Sequence, residues 1–184
     1  MKKLAKLPPS IKKVETLNTL RQLSKSSKAL GELKGIAQTM PNQAMLINAV
    51  VLQEAKDSSE IENIITTQDE LYKALTTSKE QSNQVKEVIN YRKAIFIGHD
   101  LLKNQGFLKL KDIEFLQRTI IENEAGIRSL PGTVLKNDKT GEVVYTPPQN
   151  KEEILDLLSN FLDHFNTQQD EFSPLISLAV LHYQ

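Results

Sequence analysis

The feature that most constrains this chain is a helical repeat of apolar residues that recurs along its length and gives way to a two-residue repeat in one place. Apolar side chains fall three and four apart over residues 10–24, in the run QAMLINAVVLQEAK that follows Asn42, and over residues 83–103, where Val85, Val88, Ile89, Ile95, Phe96 and Leu102 turn inward. Such spacing buries one stripe of a helix and wets the other. Around residues 133–146 the period changes. TVL and EVVYT are β-branched segments on either side of the turn Asn137-Asp138-Lys139-Thr140-Gly141, and Pro147 and Pro148 end the pair. The pattern predicts an all-α bundle with one small β-hairpin. Two strands alone are marginal in water, so the hairpin either leans on the helices or is mobile.

Local signals set the helix limits. LPPS breaks the chain before residue 10, and a weaker helix is predicted over SKALGELKGIAQ, where Gly31 and Gly35 each cost about 1 kcal/mol against alanine unless close packing needs them. MPNQ interrupts next. Thr67 and Glu70 have capping-box spacing at the start of TTQDELYKAL. Further helices are read in LKDIEFLQRTIIE, in NKEEILDLLSNFLDHF and in SPLISLAVLHYQ, where Ser173 is the cap and Pro174 the first helical residue. The last is apolar nearly all round, the pattern of a central buried helix.

Composition excludes several classes of function. With no cysteine, thiol nucleophiles, disulfides and thiolate metal sites are ruled out, and His99, His164 and His182 lie too far apart for a metal-binding spacing, so no metal site is expected. No apolar run approaches the roughly 20 residues that span a bilayer, which points to a cytoplasmic protein that does not engage membranes. Net charge is zero, yet residues 1–37 hold nine Lys/Arg against two acids, a local +7 balanced by −7 in the remainder. These lysines alternate with an apolar stripe at Ile11, Val14, Leu17 and Leu20, which reads as the wet face of a packed helix more than as a nucleic-acid arm. A nucleic-acid binder would show affinity falling steeply with salt.

The stretch DSSEIENII, residues 57–65, places Glu62 four residues after Ser58 and three after Ser59. Ser59-x-x-Glu62 is by itself a capping box, enough to explain both as a helix start, with Asp57 or Ser58 completing the turn.

Three stretches in order resemble a known family. KALGELKGIAQTMPNQAMLINAVVLQEAKDSSEIENIITTQDEL is similar to the N-terminal helical region of Fic-domain (Fic/DOC) proteins, which transfer AMP from ATP to hydroxyl side chains. AGIRSLPGTVLKNDKTGEVVYTPPQ resembles the segment with their target-docking hairpin, the flap, and SPLISLAVLHYQ the helix that leads into their active site. The resemblance implies an inhibitory motif of the form Ser/Thr-x-x-x-Glu-Gly/Asn at Ser58, Glu62 and Asn63, whose glutamate pairs with the arginine that would otherwise grip the γ-phosphate of ATP. A carboxylate competes there because it occupies the same guanidinium donors as a phosphate. It also implies that Gly141, Glu142, Val143, Val144 and Tyr145 dock a target protein as an added strand.

The family signature His-Pro-Phe-x-Asp/Glu-Gly-Asn-Gly-x-Arg occurs nowhere in the 184 residues. The expectation is therefore a regulatory region over 1–80 and the front of a Fic core over 81–184, inactive by itself, with ATP and Mg²⁺ as cofactors of the whole family and none held tightly here. The cut would lie in the gene or in the preparation, and a homodimer is left open. A non-enzymatic helical module that presents Glu62 in trans to a separate catalytic chain is the rival reading. Arg128 is expected to be an ion-pair partner or helix-end cap, and His182 and Tyr183 to be packing residues with polar tips.

Overall fold

The computed structural model describes residues 4–77, 81–137, 139–167 and 172–183. Asp138 of the predicted turn and Gln184 of the terminal segment lie outside them. The fold is mainly α, with one small antiparallel hairpin. It divides into two compact units, one formed by Met1–Gly31, Phe107–Leu110 and Ala125–Gln184, the other by Glu32–Gly106 and Lys111–Glu124.

The second unit has an aliphatic core. α3 (Gln43–Ile61) starts where Asn42 accepts the amide of Met45 at 3.2 Å, and it buries Leu52, Ala55 and Ser59, residues three and four apart. α4 (Gln68–Thr76) opens on the predicted capping box: the Thr67 hydroxyl receives the Glu70 amide, and the Glu70 carboxylate receives the Thr67 amide at 2.8 Å. α5 (Asn83–Gln105) is capped by Ser82 and stopped by Gly106, whose φ of 76° is left-handed and costs glycine nothing. Leu52, Ala55, Leu71, Val85 and Val88 form one buried cluster, with Ile64, Ala74, Ile89 and Tyr91 packed on it. α6 (Leu110–Ile121) approaches α5 at Gly98, where an added Cβ would meet the Leu116 side chain at 3.5 Å.

The first unit is held differently. It contains α1 (Ile11–Val14), the first part of α2 (Leu17–Thr39), strands β1 (Leu135–Lys136) and β2 (Val143–Tyr145), α7 (Lys151–Asn166) and α8 (Pro174–Tyr183). Leu7, Leu162, Phe172 and Ile176 are its buried apolar residues among those described. Two asparagines of α7 supplement them. Asn160 accepts the Leu7 amide at 2.7 Å and donates to the Leu7 carbonyl at 3.0 Å; Asn166 does the same for Leu108 at 2.8 Å in both directions. Each carboxamide thus replaces a missing peptide partner for a stretch of chain with no regular structure of its own.

Several expectations are corrected. The single helix over 10–24 is interrupted because the Thr16 hydroxyl accepts the Thr19 amide at 3.2 Å and starts α2 afresh. From there α2 runs unbroken through the predicted gap at residues 25–26. Neither Gly31 nor Gly35 has a neighbour within 4 Å of where a Cβ would stand, so close packing does not explain them, and α2 buries no residue at all. Strand β1 begins two residues later than TVL suggested. α8 is not a central buried helix either: Ile176 is buried, whereas Leu178 is 64% exposed.

Candidate functional site

The end of α3 carries the sequence motif, and its geometry follows from how that helix stops. The Asn63 amide donates to the Glu60 carbonyl and the Ile64 amide to the Ser59 carbonyl, both at 3.0 Å, while Asn63 takes a left-handed φ of 64°. This is a Schellman stop, which requires glycine or asparagine at the left-handed position. Ile64 packs on the buried cluster beyond the stop and anchors it. The capping-box reading of Ser59 and Glu62 is thereby overturned: the two residues end a helix and do not start one. Ser59 points into the core, at 7% exposure, because it continues the Leu52 and Ala55 stripe.

Beside that stripe, Glu54, Ser58 and Glu62 follow one another at intervals of four along one edge of α3. The Ser58 hydroxyl donates to the Glu54 carboxylate at 2.7 Å and so points back along the helix. Asp57 accepts from Gln53 at 2.7 Å, and Glu60 pairs with Lys56 at 3.0 Å. The Glu60 hydrogen bond is the main reason the Lys56 ammonium titrates above its ordinary value, against a smaller opposing effect of burial. Of the four carboxylates from Glu54 to Glu62, Glu62 alone has no side-chain partner among the described residues, and it is exposed. It also stands at the negative end of the helix dipole, where a carboxylate is disfavoured. Helix stability therefore does not account for Glu62.

The hairpin lies in the other unit. Leu135 pairs with Tyr145 and Lys136 with Val143, so Val144 is the extra residue of a bulge. Asn137 shapes the turn, its side chain accepting the Lys139 amide at 2.9 Å and the Thr140 amide at 3.3 Å. Gly141 adopts a φ of 70°, and Glu142 accepts the Asn137 amide through its carbonyl at 2.8 Å. Leu135, Val143, Val144 and Tyr145 are all exposed, Val144 at 65%. A two-stranded ribbon leaves the outward backbone groups of both strands without a ladder partner.

Arg128 has no ion-pair partner among the described residues; its guanidinium donates to the Pro148 carbonyl, tying the chain before the hairpin to the chain after it. His182 and Tyr183 are exposed, Tyr183 at 90%, so they do not pack as expected. Tyr183 instead borders an open groove of about 1010 Å³ that Leu7, Val14, Leu23, Ile176 and Tyr145 also line. Among the described residues no group of three or more His, Asp or Glu is arranged to hold a metal ion. Glu54 and Gln149 went unread in the sequence. The four-residue spacing of Glu54 and Ser58 could have revealed the first, whereas nothing local marks the second.

Residues 20–100 match the Fic/DOC family N-terminal region, a span that includes the end of α3 and leaves out the hairpin. Over that span the chain is similar to the N-terminal region of Fic/DOC proteins.

Proposed function

We propose that this chain is the regulatory and target-docking part of a Fic-type protein adenylyltransferase, an enzyme that moves AMP from ATP to hydroxyl side chains of other proteins. Glu62 is the gate in this reading and the exposed hairpin is the dock. The observation that carries it is the isolation of Glu62. The other carboxylates of α3, Glu54, Asp57 and Glu60, have partners, while Glu62 has none among the described residues and stands at a helix end that disfavours it, inside the stretch that matches the family's N-terminal region. A free carboxylate on a rigid last turn suits a guanidinium that arrives from elsewhere.

This reading assigns no ATP or Mg²⁺ site to the chain, in keeping with the lack of the His-Pro-Phe signature in its sequence. The chain's contribution is control and docking, in the cytoplasm. The same free carboxylate also serves the rival reading, in which the module acts on a catalytic polypeptide in trans.

The test is labelled-AMP incorporation by the natural gene product that contains this chain, with and without Glu62→Gly. Release of the gate should raise incorporation about tenfold or more, equivalent to about 1.4 kcal/mol in barrier. Equal incorporation would reduce Glu62 to a helix-end residue. If neither protein transfers AMP, but the 184-residue chain blocks transfer by a separate catalytic polypeptide and loses that effect on Glu62→Gly, the trans reading takes its place.

A further inference from the structure

The hairpin is too small to fix its own shape. Two residues face three across a bulge, and apart from the turn there is little ladder to resist fraying. Its neck, however, is closed by one side chain. The Gln149 carboxamide accepts the Gly132 amide at 2.7 Å and donates to the Thr133 carbonyl at 3.0 Å, with a further short hydrogen bond to the Pro147 carbonyl. In extended chain the amide of one residue and the carbonyl of the next point to opposite sides. Here they converge on a single side chain because Gly132 adopts a φ of 109°, a backbone state that residues with a Cβ rarely take.

Gln149 itself is well anchored. It directly precedes Asn150, which caps α7 by accepting the Glu153 amide at 2.7 Å, and it follows Pro148, whose carbonyl is held by Arg128.

We propose that Gln149 is a positioning residue for the docking hairpin: its carboxamide acts as an added rung that ties both arms of the ribbon to the start of α7 and holds the edge ready for an incoming strand. This rests on the reading of the hairpin as a dock. An edge that is ordered in advance loses less conformational freedom when a partner strand adds to it, and that is where such an interaction gains affinity. Gly132 belongs to the same device, since it turns the two backbone groups toward the amide.

The test is backbone ¹⁵N relaxation on the 184-residue chain, read at the amides of Leu135, Val143 and Tyr145. The wild-type order parameters should be near those of rigid backbone, about 0.85, and should fall toward about 0.6 in Gln149→Met, which keeps the length and apolar bulk and removes all three hydrogen bonds. Gly132→Ala should act in the same direction by a different route. α7 amides should be unchanged in both variants. Hairpin order parameters that stay at the wild-type value in Gln149→Met would overturn the proposal, and so would a parallel loss of order in α7, which would make Gln149 a general fold residue. The measurement needs neither target nor nucleotide, so its failure is separate from that of the docking reading. A rigid, clamped ribbon in a protein that adds no strand would sink the docking reading and leave the clamp standing.

Discussion

The two units of this protein are stabilised by different chemistry, and the contrast explains what each can do. The unit that carries α3, α4 and α5 encloses a contiguous cluster of leucine, valine and alanine side chains. The unit that carries the hairpin buries Leu7, Leu162, Phe172 and Ile176 among its described residues and adds carboxamides that pair with single stretches of backbone: Asn160 with Leu7, Asn166 with Leu108, and Gln149 with Gly132 and Thr133. A packed aliphatic core suits a fixed platform, and the proposed gate stands on one. Carboxamide ties hold chain that has no sheet or helix of its own, which is what a presented loop or ribbon needs.

The largest expected effect breaks the platform. Leu71 is fully buried at the centre of the cluster, and Leu71→Ala should cost about 3 kcal/mol through lost burial and the cavity it leaves. Hydrogen exchange at α5 amides reads it, and a loss below about 1 kcal/mol would mean that the cluster is not the platform's core. Next is Asn160→Ala, which strands both the amide and the carbonyl of Leu7 and should cost about 2 kcal/mol, measured by exchange at α7 amides. If Asn160→Ala matched or exceeded Leu71→Ala, the ranking of core over carboxamide would be reversed.

The smallest effect concerns the cap of α4. Thr67→Ala should cost about 1 kcal/mol at neutral pH. Hydrogen bonds from the Thr67 hydroxyl, and then from its amide, hold the Glu70 carboxyl below its usual range. A depressed folded value gives stability that is complete above the unfolded value and is lost as pH falls through the folded one. The gap between wild type and Thr67→Ala should therefore narrow on acidification below about pH 4.3, as followed by thermal melts. A gap that does not change with pH would confine the cap to the threonine hydroxyl and the helix amides.

The legibility of the sequence divides along the same line. The platform could be read, since apolar periodicity placed α3 and α5, Ser82 and Asn42 are ordinary caps, and the Thr67 to Glu70 box formed as expected. The hairpin could be read as well, because β-branched residues around a turn have a local signature. The carboxamide ties could not. Asn160 in the middle of α7 resembles any polar residue on a helix, and its partner lies 153 positions away. Errors arose where one residue type has two uses. Ser59 and Glu62 have the spacing of a helix start, and only the left-handed Asn63 that follows shows that the helix is ending. Thr16, by contrast, started a helix in what looked like the interior of one.

The curl at Asn63 also limits how this chain can vary. Each helical residue turns the next by about 100° around the axis, so adding or deleting a single position between Glu54 and the curl would swing the last side chain to another quadrant while every residue type stayed the same. Distance along the chain from Glu54, more than the company Glu62 keeps, decides which way that carboxylate points.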